Sequence, residues 1–161
     1  MEIVYLTTER ALKTYEKTIE VSGGGSCGFI SDGRERFEGV LMFIQDDSFY
    51  PSFEDKLTHL FFSLCKGHFF IDGNKRIAIT LAAQMLIDNG YICCTASFIR
   101  RMENYCWHVA AGSIDKDLLR DIIVCIINGE EEDESLLLRI IDATSNAPDG
   151  QFRFSRGQAD K

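Results

Sequence analysis

The residues that could do chemistry are crowded into one stretch, His68-Phe69-Phe70-Ile71-Asp72-Gly73-Asn74-Lys75-Arg76. A base, a carboxylate, a glycine, an amide and two cations follow one another there. Histidine titrates near neutrality, so His68 can take the proton of an attacking hydroxyl. Lys75 and Arg76 fall in what reads as the first turn of a helix, where the dipole disfavours cations and favours anions. Two cations at that end make sense if a bound anion offsets them. A phosphate chain fits, with Arg76 gripping it through paired N–H groups and Lys75 acting as a point charge. Gly73 lets a backbone or ligand approach closely, and Asn74 offers an amide beside it. Asp72 suits such a site if a divalent metal lies between it and the phosphates, the usual way Mg²⁺ is held. The plainer alternative is a solvated helix start, with Asn74 as a cap, Lys75 and Arg76 in water, and His68 between aromatics. Spacing alone supports both readings.

The elements that must position this stretch are helical. From Asn74 to Asn89, Ile77, Ala78, Leu81, Ala82, Met85 and Leu86 recur at helical spacing, and Gly90 supplies a stop. Ile79, Ala83 and Ile87 are apolar too, so this helix belongs in the middle of a core. Upstream, Thr7 or Thr8 caps a first helix to about Val21, and Ser31 or Asp32 caps a second through Ile44. Ser52 begins a third, with Asp55 as its capping-box partner. Downstream, Tyr91 to Thr95 reads as a brief strand or extended link. Ser97 starts a helix to Ala111, and Ser113 caps another that ends at Asn128-Gly129. Residues 130–134 are acidic and precede a short helix, Ser135 to Ala143. The chain beyond Thr144 is polar and reads as disordered. The expected division is a domain over 1–129 and an extension over 130–161. The extension's helix is expected to pack back on the domain, with occupation of a partner's groove as the alternative.

Composition narrows the function. The net charge is −8, a poor fit to a nucleic-acid binder. No apolar run is long enough to span a membrane, and the N-terminus lacks a secretory pattern, so a cytoplasmic protein is expected. The six cysteines form no CxxC pair and read as reduced and structural. His59 and His108 lie on helices without acidic or cysteine company and read as structural. Ser22-Gly23-Gly24-Gly25-Ser26 reads as a flexible loop. It is no nucleotide-binding P-loop, because Phe29 and Ile30 stand where Lys and Ser/Thr are required.

HFFIDGNKR resembles the signature of the Fic/Doc family, His-x-Phe-x-Asp/Glu-Gly/Ala-Asn-Gly/Lys-Arg, and fills every defining position. Lys75 resembles the death-on-curing toxin branch, where adenylylating members carry Gly. The Gly28-Phe29-Ile30-Ser31-Asp32-Gly33-Arg34 segment resembles that branch too, and the likeness extends over about residues 1 to 128. It implies a mostly α, single helical domain with a central buried helix and a short flap that lays a target segment beside the catalytic loop. That flap is expected over Gln45 to Phe53, with a plain connecting loop whose aromatics tuck into the core as the alternative. The resemblance further implies that His68 is the general base toward a Ser, Thr or Tyr hydroxyl of a target protein, such as a translation factor. Asp72 would bind Mg²⁺, and Gly73, Asn74, Lys75 and Arg76 would hold the phosphates of ATP or another nucleotide. Lys75 implies phosphate transfer. Nucleotidyl transfer is the alternative, and a non-catalytic binding module the second. No inhibitory Ser/Thr-x-x-x-Glu-Gly/Asn element is found, since Arg36 follows Ser31 and Glu35. A separate antitoxin is therefore expected.

Overall fold

The computed structural model describes residues 2–23 and 25–145. The expected character of the chain beyond Thr144 thus falls almost wholly outside the described residues. Seven helices follow in order: α1 (Thr8–Val21), α2 (Gly33–Phe43), α3 (Phe53–Lys66), α4 (Asn74–Asp88), α5 (Ile92–Ala111), α6 (Lys116–Asn128) and α7 (Glu134–Ser145). No strand forms among the described residues. The only extended pairing there is one isolated antiparallel bridge, Phe29 to Phe70.

Helix α4 is central. Ile77, Ala78, Leu81, Ala82, Met85 and Leu86 are all fully buried, and α1, α3 and α5 pack around them. Each large side chain removed from water there contributes about 1.5–3 kcal/mol. Its apolar residues run nearly all round, so neighbours on three sides are required.

The helix starts show why these boundaries hold. Thr7 accepts from the Arg10 amide at the head of α1. Ser52 and Asp55 close a reciprocal capping box on α3. Two expected starts shift. Helix α6 is capped by Asp115, whose carboxylate accepts from Leu118 N at 2.8 Å. Ser113 instead donates to the His108 carbonyl and faces the His108 ring. The extended link expected over 91–95 is helical from Ile92. Gly90, with φ of 85°, reverses the chain at once, and Thr95 and Cys94 donate back to the Tyr91 carbonyl. Tyr91 stacks on Phe53 at 4.7 Å. Packing outweighs the β-leaning composition of this stretch.

Of the two forms expected over Gln45 to Phe53, the structure shows the connecting loop, with no extended pairing among the described residues there. Buried Lys56 donates to Ile44 O at 3.0 Å and to Asp47 Oδ1 at 2.6 Å, pinning the turn to α3. Burial pulls the Lys56 ammonium down, but its bonds to Asp47 and Tyr5 outweigh that and raise it. Tyr50 stacks on His59, and Phe49 on Phe43. The backbone that pairs with the 68–74 loop belongs to residues 28–30 instead.

Helix α7 folds back on α6, as expected of the extension. Ile140 is buried against the core, and Arg139 pairs with Asp121 at 2.6 Å. All six cysteines are free. Cys65, Cys94, Cys106 and Cys125 are buried, while Cys27 and Cys93 are exposed and so fill no core.

Candidate active site

The loop between α3 and α4 is held on both sides. Gly67 closes α3, where an added Cβ would fall 2.2 Å from the Phe69 ring. His68 then adopts φ of 44°, the only positive φ among the described non-glycine residues. Such a conformation in a residue with a side chain is held by its surroundings and marks functional loops. The surroundings are visible. Phe69 and Phe70 are buried, and Phe70 lies 4.1 Å from Tyr15 and 4.8 Å from Phe29, ring centre to ring centre. Ile30 N donates to Phe69 O and Ile71 N to Gly28 O, both at 3.0 Å. Gly33 has no room for a Cβ, which would meet Phe69 O at 2.0 Å.

Asn74 finishes the clamp. Its Oδ1 accepts from Phe70 N at 3.0 Å, and its Nδ2 donates to Phe70 O at 2.8 Å. Both ends of the amide are thus committed to the loop. Gly73 reverses the chain just before, with φ of 81° and the Ile19 side chain 2.5 Å from where a Cβ would stand. The loop therefore ends on a helix N-terminus with no acid in its first turn.

The polar groups distribute around that N-terminus. His68 is exposed, and its ring makes no hydrogen bond or ion pair among the described residues. Asp72 Oδ1 accepts from Gly73 N at 2.6 Å, and Oδ2 pairs with Arg76 Nη2 at 3.1 Å. Arg76 also donates to the Ser22 hydroxyl. Gly25 lies against the same carboxylate, since a Cβ there would stand 2.1 Å from Asp72 Oδ2. Lys75 is exposed at the same helix start. Burial pushes up the thiols of Cys65 on α3 and Cys106 on α5, and the Lys75 charge partly opposes it. At the mouth of α4, Arg76 thus faces α1, while the charge of Lys75 is felt on the α3 and α5 side. A groove of about 630 Å³ leads away from Arg76 and Ser22 between α1, α4 and α5.

The structure thus brings Asp72, Gly73 and Arg76 together, places Lys75 beside them on the opposite flank, and uses Asn74 to hold the loop. Ser22, Gly25 and Tyr15 were not expected at the site. Tyr15 OH accepts from Gly28 N at 3.2 Å and joins α1 to the 25–28 segment. Only the glycine run itself could have signalled this close approach to the helix mouth.

A buried helix thus opens on a clamped loop with an exposed histidine, and an arginine and a carboxylate stand at its mouth. The model of the Fic/DOC family matches residues 5–86, and the chain belongs to that family. Its members transfer groups from nucleotides to proteins. Comparison with curated proteins and with solved structures found no match. No described helix is long and apolar enough to cross a membrane.

Proposed function

We propose that the chain transfers the terminal phosphoryl group of ATP to a Ser, Thr or Tyr hydroxyl of a target protein, in the manner of the death-on-curing branch. The observation that supports this is the divergence of Lys75 and Arg76 at the N-terminus of α4. A glycine at position 75 would leave room and neutrality on the α3 and α5 side. An exposed lysine adds charge on that side, so a triphosphate meets a cation on both flanks.

The roles follow from position. The helix N-terminus and Arg76 hold phosphate oxygens. Arg76 is already aimed at an oxyanion, the Asp72 carboxylate, and exchanges it for phosphate. His68 takes the proton of the target hydroxyl. The hydroxyl oxygen bonds to the γ-phosphorus as the bond from that phosphorus to the β-bridging oxygen breaks, and ADP departs. Asn74 and the Phe70 aromatic cluster keep the loop from shifting while charge moves. Asp72 fits Mg²⁺ in the one-carboxylate mode, because among the described residues its oxygens meet Gly73 N, Arg76 and the side-chain-free backbone of Gly25, and the carboxylate stays part-exposed. The ion would offset phosphate charge. The groove beyond Ser22 has a volume suited to the rest of a nucleotide.

Nucleotidyl transfer is the second reading, favoured by the same clamp and histidine. Intact-mass spectrometry of a modified target separates the two. A shift of one phosphate supports the proposal, and a shift of a nucleoside monophosphate replaces it with the second. An unmodified proteome with both His68 and Arg76 intact would favour the non-catalytic module. A cytoplasmic location and a separate antitoxin complete the proposal.

A further inference from the structure

We infer that a second copy of this chain docks its α7 into the groove between α2, α3 and α6. Two features that find no partner among the described residues complement each other in both polarity and charge.

The first is the groove, about 700 Å³, which also borders Gly67. Val40, Phe43 and Phe62 line it, with Phe43 continuing outward to Phe49, itself 63% exposed. Lys66 and Lys116 stand over it. Lys66 caps the Phe62 ring at 5.6 Å, and Lys116 the Tyr50 ring at 4.8 Å. Most described cations of this acidic chain sit in ion pairs, from Arg10–Asp88 to Arg139–Asp121. Neither Lys66 nor Lys116 joins an ion pair among the described residues. His59, which accepts from Lys116, is held neutral by burial and by that lysine. The groove is therefore apolar, with unneutralised positive charge at its edge. An apolar surface of this kind marks an interaction site.

The second is α7. Leu136, Ile140 and Ala143 face the core. Leu137, Leu138 and Ile141 form a second stripe, three and four residues apart, on the outer face. Leu138 is 59% and Ile141 56% exposed. Glu134 shares that face one turn earlier, and Glu130 and Glu131 precede it, exposed. Among the described residues none of the three is in an ion pair, whereas Glu132 pairs with Arg101. A helix with aliphatic residues on its outer face and unpaired carboxylates at its head matches an apolar groove edged by unpaired lysines. Reciprocal docking closes as a two-fold dimer and buries both features on both copies.

The test uses the full chain. Sedimentation or light scattering across a concentration series is expected to show a monomer–dimer equilibrium that weakens at higher salt. Lys66→Glu with Lys116→Glu should weaken self-association at least about tenfold, and so should Glu131→Lys with Glu134→Lys. Mixing the two charge-reversed proteins should restore dimers, because the swapped partners match. Leu138→Asp, on an exposed position, should weaken it without charge reversal at the lysines. Circular dichroism checks that each variant folds. A chain that is monomeric at all concentrations overturns the inference. So does a dimer indifferent to all these variants, or a mixture that fails to recover dimers. Should the monomer instead bind an unrelated acidic, leucine-rich peptide in the groove, the occupant is another protein and the inference is likewise overturned. None of these readouts depends on nucleotide or transfer chemistry.

Discussion

Arg76 Nη2 and Asp72 Oδ2 are 3.1 Å apart across the junction of loop and helix, with side chains 37% and 47% exposed. The pair is accessible, and each member holds what the other's proposed ligand would replace. A phosphate can take the carboxylate's place on Arg76, and a cation can take the guanidinium's place on Asp72. Surface pairs of this kind contribute little to stability, about 0–1 kcal/mol. The exchange is therefore cheap, and the contact keeps both groups aimed while the site is empty. Arg76→Ala should weaken ATP binding by about 10–100-fold, the range of a lost charge-assisted bond. Titration calorimetry measures it, and thermal melting should change little. Unchanged affinity would remove Arg76 from the phosphate site.

His68 makes no hydrogen bond or ion pair among the described residues. Replacing it should leave the fold alone, since the side chain is exposed. His68→Ala is expected to lower transfer to a target by about 10²–10⁴-fold while ATP affinity stays within a factor of about two. The split between rate and affinity is the informative readout. A parallel fall in both would mean that the ring orients nucleotide instead of taking a proton.

Asn74 carries a different burden. Its amide makes both bonds to Phe70, so Asn74→Ala strands a backbone donor and acceptor at the foot of the loop. The expected cost is about 1–3 kcal/mol of stability, read by chemical denaturation. Loss of transfer should accompany it, because the φ of His68 depends on a fixed Phe70. Asn74→Asp keeps an acceptor for Phe70 N but turns an oxygen toward Phe70 O, so it should not rescue.

Much of this was legible beforehand. The buried character of α4 follows from its all-round apolar pattern, and the head of α3 from Ser52 and Asp55, because local capping and periodicity are written in adjacent residues. What was missed depends on distant contacts. Sequence could not show that Lys56 would be buried and pin residues 44–47, the contact that favours the connecting loop over the flap. Nor could it show that residues 28–30 would pair with the loop, because that bridge joins segments some forty residues apart through the Phe29 and Phe70 rings. Ser22 and Gly25 were read as loop for the same reason: α1 must be packed on α4 before they reach Arg76 and Asp72.

His59 shows the same dependence on tertiary contact and gives a prediction with a sign. On α3 it looks isolated in sequence, yet its ring meets Tyr50 OH and Lys116 Nζ, both at 2.9 Å, and Ser63 Oγ at 3.3 Å. Burial, and then the charge of Lys116, hold its pKa at about 4, below the ordinary 6.5. The unfolded chain therefore takes up a proton at a pH where the folded chain still refuses it. The neutral ring's stabilising share is full above about pH 6.5 and is lost as pH falls toward 4. Allowing for partial exposure, the loss is on the order of 2 kcal/mol. His59→Gln keeps a polar side chain but cannot titrate. Denaturation at pH 7 and at pH 5 should show a smaller drop for this variant than for the native chain, the carboxylates contributing equally to both. Equal drops would mean that the ring is charged in the folded protein, with Lys116 turned away from it.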